Sequence, residues 1–65
     1  MVKKSEIENF LNSEEIPRNL RNRLNSAILR DCGQDGFDSF EPNQEMTPRI
    51  NGAYFKIKGS VEKSY

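Results

Sequence analysis

The clearest alternation of apolar and polar positions runs from Gln44 to Lys58, QEMTPRI-NG-AYFKIK. Two extended runs flank Asn51-Gly52, the dipeptide that most readily takes the two positive φ angles of a type I′ turn. That turn would pair Ile50 with Ala53, Pro48 with Phe55 and Met46 with Ile57 on one face. Arg49 would pair with Tyr54, Thr47 with Lys56 and Glu45 with Lys58 on the other. One face is then apolar and the other polar, so the pattern predicts an antiparallel β-hairpin over about 45–58. Pro48 fits poorly: the 48:55 pair should exchange two hydrogen bonds, and proline has no N–H to give. The first strand is therefore expected at a sheet edge, or bulged near Thr47-Pro48.

Upstream the apolar spacing changes to that of helices. Ile7, Phe10 and Leu11 share one helical face behind Ser5-Glu6-Ile7-Glu8, which fits a capping box, and predict a first helix over about 5–12. Pro17 suits a helix start. Leu20, Leu24, Ala27 and Ile28 then form a stripe, and Gly33 is a natural helix-ending residue, so a second helix is predicted over about 17–32. Leu29 falls off the stripe: it packs under the hairpin at the helix end, is exposed and marks a contact, or is an ordinary surface leucine, and the first or the last is favoured. Residues 33–44, GQDGFDSFEPNQ, read as a loop with turn signals at Asp35-Gly36 and Pro42-Asn43. Phe37 and Phe40 allow one helical turn there, capped by Asp35, and as aromatics in an otherwise polar loop they are expected to plug the edge of the core. Residues 59–65 read as a tail that extends the second strand briefly or frays.

These elements predict an α+β fold in one small domain over 1–65. Two N-terminal helices, as a helical hairpin or helix-turn-helix, precede an acidic loop and a C-terminal antiparallel β-hairpin. The expected core is Ile7, Phe10, Leu11, Leu20, Leu24, Ile28, Ile50, Phe55 and Ile57. Leu, Ile, Val and Phe total 15 of 65 residues, a little above the roughly 20% level below which disorder becomes the default. So small a core invites completion by a partner or a homodimer.

Composition narrows the chemistry. No apolar run approaches the ~20 residues of a membrane helix, and no apolar segment follows Lys3 and Lys4 as in a signal peptide, so a cytoplasmic setting is expected. Cys32 is the only cysteine and histidine is absent. That excludes an internal disulfide, disfavours zinc, and removes the commonest general acid–base group. Asp31-x-Gly33-x-Asp35-Gly36 begins like an EF-hand calcium loop but has Pro42 where the bidentate glutamate belongs. Cys32 at a helix C-terminus beside Asp31 is expected to be an inert thiol. No catalytic residue, metal ligand or cofactor is assigned, and an enzyme is not expected.

The net charge is zero, but the charges are zoned, and that is the main functional clue. Residues 16–30 carry Arg18, Arg21, Arg23 and Arg30 without an acid. Residues 31–45 carry Asp31, Asp35, Asp38, Glu41 and Glu45 without a base. The favoured expectation is a small non-enzymatic regulator or inhibitor that binds another protein through Asp35, Phe37, Asp38, Phe40 and Glu41. The alternative is a duplex-DNA-binding regulator. Arg18, Asn19, Arg21, Asn22 and Asn25 would read bases from the second helix, and Arg49, Lys56 and Lys58 on the hairpin would meet phosphate. In element order this resembles a minimal winged helix of the excisionase type, with the hairpin as wing. Size alone suggests a phage or mobile-element origin.

Overall fold

The computed structural model describes residues 1–33 and 35–63. Three helices follow one another: α1 (Lys4–Asn12), α2 (Arg18–Cys32) and α3 (Pro48–Lys63), with a short 3₁₀ turn over Phe37–Ser39 between α2 and α3. The only bridge between extended segments among the described residues is the isolated antiparallel Lys3–Glu45 pair. The fold is all-helical, and the expected α+β class with its C-terminal hairpin is overturned.

The hairpin region is α3. Thr47 Oγ1 accepts the Ile50 amide at 3.3 Å, and the Thr47 carbonyl accepts the Asn51 amide at 2.9 Å. Thr47 is thus the N-cap, and Pro48 stands at the first helical position, where a missing N–H costs nothing. The proline that fitted a strand badly fits a helix start well. From there Ile50, Tyr54, Ile57 and Val61 recur at helical spacing, and all four are buried. Tyr54 and Phe55 decide between the two patterns. A strand buries Phe55 and exposes Tyr54; the helix leaves Tyr54 5% and Phe55 52% exposed. Phe55 is therefore removed from the expected core. Asn51-Gly52 forms no turn. The Asn51 side chain instead holds the N-terminal segment, its Oδ1 accepting the Val2 amide at 2.8 Å. Of the expected tail, 59–63 continues α3, while 64–65 lie outside the described residues.

The first two helices stand close to their expected bounds, with different ends. Ser5 does not cap α1; Lys3 occupies the cap position without a side-chain bond. The first amides of α1 are met from the loop before α3, Lys4 N–H donating to the Gln44 carbonyl at 3.0 Å and Ser5 N–H to Pro42 at 3.1 Å. The loop thus supplies acceptors that the helix start needs. Pro17 sits one place outside α2, as its N-cap. Gly33 ends the helix at φ 80° and ψ 177°, a backbone region nearly confined to glycine.

The core joins all three helices with the two flanking segments. Val2, Ile7, Ile16, Leu20, Leu24, Ile28, Met46, Ile50, Tyr54, Ile57 and Val61 are buried, with Phe10 and Leu11 partly so. The main packing is α2 on α3. α1 reaches α3 through an edge-on contact of Phe10 with Tyr54, centroids 5.2 Å apart. No helix among the described residues is long and apolar enough to cross a membrane.

Candidate interaction surface on the second helix

With Leu20, Leu24 and Ile28 turned inward, the opposite face of α2 stands in solvent. Its exposed residues are Arg18, Asn19, Asn22, Arg23, Asn25, Ser26, Leu29 and Arg30. None is acidic and none is lysine. A solvated face built for helix stability favours Glu, Lys and Ala, whereas Asn costs up to about 0.7 kcal/mol against Ala at each helical position. Three asparagines at spacing three on one short helix therefore work against α2. Arg enriched and Glu and Lys depleted is the composition of a contact surface.

Two hollows flank the Asn22–Ser26 ridge of this face. An open groove of about 460 Å³ runs between α2 and the 3₁₀ turn, lined by Asn22, Asn25, Ser26, Ile28, Leu29, Gly33, Phe37 and Asp38. A smaller one of about 350 Å³ is lined by Asn22, Arg23, Ser26, Ala27 and Arg30. Leu29 is 54% exposed within the first groove. Ser26 and Arg30 were not among the expected site residues, Arg23 was read only as part of the basic face, and Leu29 was favoured to pack or to be an ordinary surface leucine. Their signal in the sequence is that Leu29 leaves the buried stripe and that Arg23 and Arg30 lie seven apart, on one helical face.

In the acidic loop the two phenylalanines turn inward, as aromatics in an otherwise polar loop are expected to, rather than outward toward a partner. Phe37 and Phe40 are partly buried against the core and meet edge-on, centroids 6.3 Å apart. Both are tied down by Lys4, which is only 8% exposed. Its Nζ donates to the Phe40 carbonyl at 2.8 Å and sits 5.4 Å from the Phe37 ring centroid, a cation–π contact. The 3₁₀ turn has no side-chain cap from Asp35. Asp35, Asp38 and Glu41 remain exposed. The loop thus presents carboxylates on a fixed footing, and of its two phenylalanines Phe37 also lines the groove.

The residues expected to read DNA are divided: Arg18, Asn19, Asn22 and Asn25 share the exposed face of α2, and the other four do not join them. Arg21 is folded back, its Nη2 donating to the Ile16 carbonyl at 3.1 Å, and its Nε is buried without a partner among the described residues. Arg49, Lys56 and Lys58 lie on α3, so the wing they required does not exist. Lys58 stands over the Tyr54 ring at 5.8 Å, where a contact between Arg49 and Tyr54 across strands had been expected. Cys32 is a half-buried free thiol. Burial first, and the neighbouring Asp31 carboxylate second, push its pKa up. Among the described residues no group of three or more His, Cys, Asp or Glu side chains is placed to hold a metal ion.

No family model matches this chain, and no curated protein and no solved structure matches it.

Proposed function

We propose that this protein is a small non-enzymatic regulator that acts by binding another protein chain through the solvent face of α2 and the adjoining 3₁₀ turn. The observation that carries the reading is Leu29, more than half exposed in an open groove floored by Ile28 and Phe37. An apolar anchor beside polar side chains, with a charged rim, is the usual anatomy of a protein contact. The acidic loop enters as that rim: Asp38 lines the groove, and Asp35 and Glu41 are exposed near it in sequence. A cytoplasmic setting belongs to the same proposal, supported by a lone cysteine with no internal disulfide partner.

Duplex DNA is the weaker reading. It keeps Arg18, Asn19, Asn22 and Asn25, loses Arg21 to the Ile16 carbonyl and loses the wing altogether. Asp38 beside Asn22 and Asn25 would also repel phosphate.

The test compares capture by wild type with capture by Leu29→Lys and by the triple reversal Asp35→Lys, Asp38→Lys, Glu41→Lys. Both variants should keep the helical circular-dichroism signal and lose the same partner. Equal capture by all three proteins would place the contact elsewhere. In parallel, fluorescence anisotropy with random-sequence duplex DNA at low salt should show no binding, and steeply salt-dependent binding would favour the DNA reading.

A further inference from the structure

We propose that the occupant of the α2 face is a second copy of this chain, with the two α2 helices side by side, pointing the same way, and Leu29 against Leu29. This rests on the reading of α2 as a protein-binding surface and names the partner. The argument is one of charge and symmetry. At about 100° per residue, Asn22, Ser26 and Leu29 form the crest of the exposed face. Asp38 lies along one side of that crest, in the groove that runs from Asn22 to Leu29. Arg23 and Arg30 lie along the other side, in the hollow that shares Asn22 and Ser26. The acid and the two arginines therefore border the exposed crest from opposite flanks.

Such a face can meet its own copy in two ways. A two-fold axis across the helix makes the pair antiparallel and sets Asp38 against Asp38 and arginine against arginine. An axis along the helix makes the pair parallel and sets Asp38 of each copy against Arg23 and Arg30 of the other, two equivalent contacts from one surface. Like charges directly opposed are costly, so the surface selects the parallel pair. The crest suits it as well. An asparagine amide has both donors and acceptors and can pair with its own copy, and a parallel pair places one leucine on the other. The chain has zero net charge, so no overall repulsion opposes association.

The experiment is sedimentation velocity over a range of concentrations on wild type and two charge variants. In the first, Asp35→Lys with Asp38→Lys makes both flanks basic; in the second, Arg23→Glu with Arg30→Glu makes both acidic. Wild type should associate with rising concentration, more weakly at high salt, and Leu29→Lys should weaken association roughly tenfold or more. Each charge variant should be monomeric alone, and an equimolar mixture of the two should associate. In a Cys32→Ser background, Asn22→Cys and Leu29→Cys should each cross-link to its own copy on oxidation; antiparallel helices would leave these positions apart. Circular dichroism checks that every variant is folded. Wild type that stays monomeric at all concentrations overturns the proposal, as does association of either charge variant alone at wild-type strength. If wild type is monomeric yet still captures a different protein through Leu29, only the self-pairing falls. If Leu29-dependent capture is absent too, the α2 surface reading falls with it.

Discussion

The Thr47 hydroxyl donates to Asp31 Oδ2 where the last turn of α2 meets the start of α3. The same oxygen accepts the Ile50 amide, so one hydroxyl both caps a helix and ties it to its neighbour. Asp31 lies at the end of α2, where the helix dipole disfavours an anion, and at the start of α3, where it favours one. The contact therefore fixes which end of α2 faces which end of α3.

Loss of that hydroxyl should be felt in stability. Thr47→Ala is expected to cost about 1–2 kcal/mol, the usual effect of removing an N-cap oxygen, and Thr47→Ser should restore most of it. Urea unfolding followed by circular dichroism measures both. An unchanged midpoint in Thr47→Ala would mean the cap is not made in solution.

Aromatic truncations separate the helix from the hairpin. Tyr54→Ala removes a buried ring that contacts Phe10 and should cost about 3–5 kcal/mol, enough to unfold a domain this small. Phe55→Ala removes a half-exposed ring and should cost well under that, about 1 kcal/mol or less. A hairpin reverses the order, so the ranking in thermal melts decides between the folds.

The glycines give a prediction of opposite signs. A Cβ added at Gly52 or Gly59 meets nothing within 4 Å, and both positions lie within α3. Gly52→Ala and Gly59→Ala should each stabilise by about 0.5–1 kcal/mol. At Gly36 the added Cβ would lie 1.9 Å from the Cys32 carbonyl oxygen, so Gly36→Ala must displace the end of α2 and should destabilise by about 1–3 kcal/mol. Chemical denaturation of the three variants tests both signs.

Cys32 should react slowly. Its raised pKa leaves less thiolate near neutral pH, so alkylation by iodoacetamide at pH 7.5 should be slower in the folded protein than in urea. Raising the pH toward 9 should narrow the gap. Asp31→Asn removes the second cause of the shift and keeps an acceptor for Thr47, so it should speed alkylation. A folded-state rate equal to that in urea would contradict the burial of the thiol.

The first two helices were legible because Ile7, Phe10 and Leu11 share a helical face, Leu20, Leu24 and Ile28 recur every fourth residue with Ala27 beside them, and Gly33 marks a helix end. The third was not, because Met46 and Ile50 before Asn51-Gly52, and Ala53, Phe55 and Ile57 after it, each satisfy a two-residue period, while Ile50 and Ile57 satisfy a helical one as well. Asn51-Gly52 tipped the reading toward a turn. Tertiary packing overrides that preference: Asn51 is held by Val2, and the apolar face of α3 is covered by α2. The pair Thr47-Pro48 was the available signal for a helix start. At the candidate surface, Asn22 and Asn25 were legible as exposed polar groups of the second helix, read there as contacts to bases. The groove was not, since it depends on the 3₁₀ turn folding beside Leu29. That Phe37 and Phe40 turn inward was legible; that Lys4, more than thirty residues earlier, holds them was not.

Both backbone groups of Val2 are engaged far along the chain, its N–H by Asn51 and its carbonyl by the Met46 amide. A ribosome delivers residues in order, so the seat for Val2 does not exist until α3 has been made. Until then Phe10 also lacks Tyr54, and α1 has no third helix to lie on. The start of the chain is therefore held by contacts of long sequence separation, the kind that form late and slow folding, and it stays unfixed until residues 46–54 take their places.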